Sequence, residues 1–420
     1  MNKFVQIFRK PDIRNKVLFI LGVLVVYRLV ANVPVPFVDA AQLQSFFANN
    51  QFYGLLSALT GGSLSQLSIA MLALGPYISA SIIMQLLTMI FPSLEEMYKR
   101  EGEAGRAKFN QYSRVLTVPL AAVSAFGFLV SLQNQNVIGY LTLFQWATVI
   151  SVVVAGSVFL MWLGELVTEK NIGNGVSILI LAGIVAGFPV QLQQALFKYD
   201  ATMFFTYLTF VILAVAVIAG VVYISEAQRN IPVNYARRVR GSKVYGGVST
   251  YLPMRINNAG VMPIIFAISL LLFPGLIAGF FANTGVGFIS NIASSINSFL
   301  SPTGIWYSIL YFLLVVVFTY FYTAITFDPK QISEDVQKQG GYIPGIRPGP
   351  STAQFLYHLL NRVTLVGAIF LGIIAILPNI VQYSTSLTDF AVGGTSILIV
   401  VSVALEVMKQ LDAQLAMYEY

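Results

Sequence analysis

Long uncharged apolar stretches alternate with short polar, mostly basic segments along the whole chain. Ten such stretches lie at 17–36, 69–91, 115–132, 142–164, 172–188, 202–225, 259–282, 305–327, 363–380 and 392–405. A helix rises about 1.5 Å per residue, so roughly 20 apolar residues cross a hydrocarbon core about 30 Å thick. The pattern predicts ten transmembrane helices. The last stretch is short and is expected to continue past Glu406, whose carboxylate reaches the interface on a flexible stem. A basic N-terminus before the first stretch imitates a secretion signal. That stretch nevertheless runs on to Pro36 with no small-residue cleavage site, which predicts a retained first span.

Composition supports this pattern and excludes other classes. Of 420 residues, 57% are hydrophobic and only 10% charged, whereas a soluble domain carries about 25% charge. An ordinary soluble enzyme and a disordered chain are therefore excluded. With no Cys and a single His, His358, neither a disulfide framework nor a thiolate or His-rich metal centre is expected, and no cofactor is implied.

Charge placement then supplies a direction. All 24 Lys and Arg except Arg28 and Lys198 fall before the first stretch or after the second, fourth, sixth, eighth and tenth. Basic loops stay on the cytoplasmic side, so both termini are expected there and the net charge of +7 faces inward. Ten spans divide into two sets of five. If duplicated, sets of odd number have opposite orientation, which predicts an all-α polytopic membrane protein of two inverted five-helix halves, 1–190 and 191–420.

The spans lack the chemistry of ion coupling. From Ile256 to Phe327 there is no Asp, Glu, Lys or Arg, whereas pumps and coupled transporters place such residues inside the membrane. Arg28 is the clear exception, read either as snorkelling to the outer interface or as paired with a neighbouring span. Small residues and breakers are frequent instead: Gly75-Pro76, Pro119, Gly183, Gly187, Gly260, Pro263 and Gly393-Gly394. They suit close helix packing, or helices that must separate.

Longer strings are more specific. Tyr77 to Ile83 (YISASII) with Gln85-Leu86-Leu87-Thr88, the loop Glu101 to Arg106 (EGEAGR), and Phe159 to Glu165 (FLMWLGE) with IGNG at 172–175 form one group. VNYARR at 233–238, PGIRPG at 344–349 and GGTS at 393–396 complete it. In order and spacing, from about 16 to 409, the chain closely resembles the SecY family, the channel subunits of bacterial protein translocases. The resemblance implies a gated pore between the two halves that passes unfolded secretory polypeptides across the plasma membrane and releases transmembrane segments laterally into lipid.

It also implies site residues. A ring of aliphatic side chains is placed at Leu74, Ile78, Val176, Ile180, Ile265 and Ile399; by residue type alone each is equally an ordinary packed aliphatic. Leu74 and Val176 make this ring less uniformly Ile than in some relatives. A re-entrant plug is expected near 53–68, with Gly54, Leu55, Leu56, Leu59, Gly61, Gly62 and Leu64; read alone it is an outer-side loop. Gln85 and Thr88 are placed at a lateral gate between spans two and three and spans seven and eight. There they either hydrogen-bond across the seam or pack against another helix.

Two basic cytoplasmic loops, 226–255 and 328–361, carry Arg237, Arg238, Arg240, Lys243 and Arg347. Such loops set orientation in any membrane protein; in this family they dock the ribosome and the SecA motor. Further partners implied are SecE- and SecG-like small membrane subunits, preproteins with their signal peptides, and the lipid bilayer. No phosphate-binding Gly-x-x-x-x-Gly-Lys-Ser/Thr string occurs, so ATP hydrolysis falls to a partner and no enzyme activity is expected. The chain ends at Tyr420 without the basic tail of some relatives. The competing reading is an inverted-repeat secondary transporter of a small solute, which a pair of mid-membrane carboxylates would have favoured.

Overall fold

The computed structural model describes residues 10–37, 63–64, 67–99, 101–134, 137–197, 204–235, 238–240, 243–245, 249–257, 259–281, 287–300, 304–385 and 391–417. Each apolar stretch falls on a helix. In chain order these are α1 (Pro11–Ala31), α2 (Gly75–Ile90), α4 (Gly102–Asn134), α5 (Leu143–Thr168), α6 (Gly175–Phe197), α7 (Phe204–Glu226), α8 (Met262–Phe281), α10 (Ile305–Thr326), α12 (Pro350–Thr385) and α13 (Ala391–Met417). Between them lie the shorter α3 (Pro92–Lys99), α9 (Gly287–Phe299) and α11 (Pro329–Lys338). Among the described residues, five helices are individually long and apolar enough to cross a membrane, and α2 with α3 adds a pair bent by 111°.

Helix ends follow local chemistry more than hydropathy. At the start of α5, Thr142 Oγ1 accepts from the Gln145 amide at 3.4 Å while the Thr142 amide donates to Gln145 Oε1 at 2.8 Å; two otherwise orphaned N–H groups are satisfied reciprocally. α2 starts later than the apolar pattern suggests. Residues 67–74 form turns, with Leu67 and Ala73 at positive φ, and the Ile69 amide donates to Val33 O at 2.9 Å. Gly156 on α5 makes this possible, since a Cβ there would run into the Ile69 carbonyl. Gly75-Pro76 then opens α2 at a position where the missing proline N–H costs nothing.

The helices close a circuit. α2 touches α5, α5 touches α6, α6 touches α13, then α12, α10 and α8 follow, and α8 returns to α2. α4 lies against α2, α5 and α8; α1 packs on α5 and α6; α7 packs on α13 and α12. One large apolar cluster runs around this circuit, drawing on α1, α2, α5, α6, α8, α10, α12 and α13. A second gathers Leu64, Leu67 and Met71 against Phe128, Leu129 and Leu132 of α4.

The two long basic segments between spans carry regular structure among the described residues, which the sequence analysis did not anticipate. β1 (Gln228–Tyr235) pairs antiparallel with β4 (Ser249–Arg255) and with β5 (Gly341–Tyr342), giving the order β4-β1-β5. Ile231 lies opposite Leu252, and Asn234 opposite Tyr342. Ile231, Val233, Met254 and Ile343 pack on Leu356, Leu359 and Leu360 in the first turns of α12. This small core draws α12 well beyond its apolar stretch. β2 (Arg238–Arg240) and β3 (Lys243–Tyr245) form a separate hairpin.

Candidate functional site

Four helices of the circuit contribute the expected ring residues, and each is held near the start of its helix. Leu74 precedes α2, and its carbonyl accepts from the Ile78 amide at 2.9 Å. α6 is started by Asn174, whose Oδ1 accepts from the amides of Val176 at 3.0 Å and Ser177 at 3.3 Å. Gly175 there abuts the Gly164 carbonyl so closely that a Cβ would overlap it. Leu74, Ile78, Ile265 and Ile399 are buried in the large apolar cluster, and Val176 and Ile180 pack against it half-buried. The structure therefore brings all six to one uncharged cluster. Ile184, one turn beyond Ile180, is buried in the same cluster. Sequence matching passed over it, although its i+4 spacing from Ile180 marks the same helix face.

Of the expected plug residues, Gly54, Leu55, Leu56, Leu59, Gly61 and Gly62 lie outside the described residues. Leu64 is described and fully buried, in the cluster with Phe128 and Leu132.

α8 packs along α2 and α4, the seam expected of a lateral gate. Gln85 and Thr88 do not bridge it. Gln85 Nε2 donates to Ser81 Oγ at 3.3 Å and Thr88 Oγ1 to the Gln85 carbonyl at 2.6 Å, both within α2. Partners one helical turn away were nearer than any across the seam. Ser269 is the single hydrogen-bonding side chain of α8. On the α2 side Gln85 Oε1 is buried without a partner among the described residues. On its other side α8 meets α10 through Phe266, whose ring contacts Phe318 at 6.0 Å and Tyr322 at 6.1 Å.

The opposite closure, α13 against α6, is polar at its end. Gln414 Nε2 donates to the Asn171 carbonyl at 2.6 Å, and Lys16 Nζ donates to Gln414 Oε1 at 3.3 Å. Asn171 holds a left-handed φ of 57°, which turns its carbonyl toward α13. Lys409 on α13 also pairs with Glu226 of α7 at 2.9 Å. Sequence reasoning missed this node.

Among the basic candidates, Arg238 pairs with Tyr245 and Arg240 with Lys243 in the β2–β3 hairpin; Arg237 lies outside the described residues. Arg347 is exposed on a turn fixed from several sides. Its carbonyl accepts from Thr352 Oγ1 at 2.9 Å, the Ile346 amide reaches Ile343 O at 3.0 Å, and Ser333 Oγ donates to Gly349 O at 2.7 Å. Gly345 and Gly349 supply the positive φ that the turn requires. Arg28 sits in the last turn of α1, where a cation suits the helix C-terminus.

Comparison with known proteins agrees with this arrangement. The family model described as SecY matches residues 68–408. Curated relatives named protein translocase subunit SecY include that of Streptomyces galbus, 40% identical over 100% of this chain and 99% of its own length. That of Thermotoga maritima is 41% identical over 99% of this chain and 96% of its own. Among solved structures, a protein-conducting channel superposes with a TM-score of 0.65 at 20% identity, covering 95% of this chain and 92% of the other. Canine Sec61, from a ribosome–channel complex of the endoplasmic reticulum, gives 0.62 at 19% identity, covering 95% and 92%. The helix circuit, its uncharged interior cluster and these matches lead to one conclusion: the chain belongs to the SecY family of protein translocase subunits.

Proposed function

We propose that the chain is the pore-forming subunit of a bacterial translocation channel, carrying unfolded secretory polypeptides across the plasma membrane and passing transmembrane segments sideways into lipid. It is a channel subunit and not an enzyme. The observation that carries this reading is the gathering of aliphatic side chains from α2, α6, α8 and α13 in one apolar cluster, with no charged residue anywhere in α2, α6 or α8. A conduit for arbitrary polypeptide cannot coordinate its cargo. An apolar constriction touches every side chain weakly and resists ion leakage by dewetting.

Along α13, a continuous helix here, Ile399 lies ten residues before Lys409, a rise of about 15 Å, half of a core about 30 Å thick. The proposed ring is Leu74, Ile78, Val176, Ile180, Ile265 and Ile399, and Ile184, buried in the same cluster one turn beyond Ile180 on the same face of α6, joins it.

In this reading the halves 1–190 and 191–420 part at the seam of α8 with α2 and α4, near Gln85 and Thr88, and the segment holding Leu64 closes the outer side. Both termini and the β-sheet face the cytoplasm. Arg238, Arg240, Lys243 and Arg347 dock the ribosome, whose phosphates reward Lys and Arg, and the SecA motor; SecE- and SecG-like subunits complete the assembly. A photo-crosslinker at position 78 or 180, in membranes holding a stalled secretory chain, is expected to capture that chain. Equal capture by a probe at exposed Leu313 would overturn the assignment.

A further inference from the structure

α9 follows α8 on the side away from the basic segments and leads into α10, so both of its connections are membrane helices. It touches α8 and no other described element extensively. Its apolar arc is wider than the protein covers. Ala293 and the adjoining Leu300 are buried, whereas Phe288, Ile292, Ile296 and Phe299, spaced i, i+4, i+8 and i+11, stand exposed. Another arc holds Ser294 and Ser298, with Ser295 at the border of the stripe, and the three hydroxyls donate to carbonyls of the same helix at 2.8–3.0 Å. No charge occurs anywhere in it.

The open stripe is continuous with the lipid-facing side of α10. Phe299 stacks on Trp306 with centroids 6.0 Å apart and planes 22° apart. Below Trp306 the exposed face of α10 continues through Ile309, Leu313 and Val317. Trp concentrates at headgroup depth, so this pair marks where the bilayer surface meets the protein. A helix at that level with one apolar edge on protein, one open, and a self-satisfied hydroxyl face matches an interfacial helix.

We propose that α9 lies in the outer bilayer interface, with Phe288, Ile292, Ile296 and Phe299 inserted among the acyl chains and the serine arc toward water. The occupant of the stripe is lipid. This anchors the outer end of α8 in the membrane surface, and so ties the moving wall of the proposed gate to the outer leaflet. The assignment of α9 rests on the membrane fold alone and stands whether or not the gate reading does.

The chain has no native Cys, so single Ile292→Cys, Ile296→Cys, Ser294→Cys and Ser298→Cys variants each take one nitroxide label. In the full chain with its membrane subunits, reconstituted in phosphatidylethanolamine–phosphatidylglycerol vesicles, collision with oxygen and with a water-soluble nickel chelate is measured. The oxygen-to-nickel accessibility ratio is expected to be several-fold higher at 292 and 296 than at 294 and 298. Equal nickel access at all four positions would place the helix in water and overturn the proposal. Shielding of 292 and 296 from both reagents would also overturn it, by showing protein over the stripe.

Discussion

The contact of α8 with α2 and α4 and the contact of α13 with α6 close one circuit of helices by opposite means. The first is apolar on the α8 side, where Ser269 is the one hydrogen-bonding side chain. The second is pinned at its end by Gln414, which holds both the Asn171 carbonyl and the Lys16 ammonium. Between membrane helices there is little hydrophobic driving force, because lipid tails replace apolar contacts nearly one for one. An apolar seam therefore parts at small cost, while a hydrogen-bonded one keeps its partners. Under the proposed channel function, the difference predicts that α8 moves while the contact of α13 with α6 stays closed.

Substitutions at the pinned closure test this comparison most severely. Gly175→Val forces a branched side chain into the Gly164 carbonyl beside the Asn171 turn, and a loss of about 3 kcal/mol is expected in thermal unfolding of the purified protein. Next comes Gln414→Ala, which strips a partly buried carbonyl and an ammonium of their partner and is expected to cost about 1 kcal/mol in the same assay. A loss below the assay's resolution would show that the node does not pin the closure. At the apolar seam the effects shrink. Thr88→Val removes a hydroxyl bonded only within its own helix, so a change under about 1 kcal/mol is expected. Gln85→Leu removes a buried oxygen without a partner among the described residues and is expected to be neutral or mildly stabilising. Strong destabilisation by Gln85→Leu would mean that the seam depends on a polar contact after all.

The spans were legible because lipid imposes both their length and their lack of charge. Their ends were not. α12 begins at Pro350, well before its apolar stretch, because Leu356, Leu359 and Leu360 cap the core of the β4-β1-β5 sheet, and hydropathy does not record that packing. The sheet itself left a faint signal in the alternating burial of Ile231 and Val233 along β1, obscured by the surrounding basic residues. Residue type placed Gln85 and Thr88 at a seam but not their bonds, since Ser81 and the α2 backbone compete at shorter range. Gln414 gave no signal, because its partner Asn171 is 243 positions away. The ring was legible in kind, and Ile184 emerges only from its burial beside Ile180 in the same cluster.

Movement at one seam and not the other is the central claim. The absence of native Cys allows paired spin labels at exposed positions without background. Leu270→Cys with Val123→Cys spans α8 and α4; Met408→Cys with Val185→Cys spans α13 and α6. Pulsed dipolar distances are measured with the channel at rest and with a stalled secretory chain bound. The account predicts that binding lengthens and broadens the 270–123 distance while the 408–185 distance stays fixed. Equal lengthening of both, or a change confined to 408–185, would contradict it.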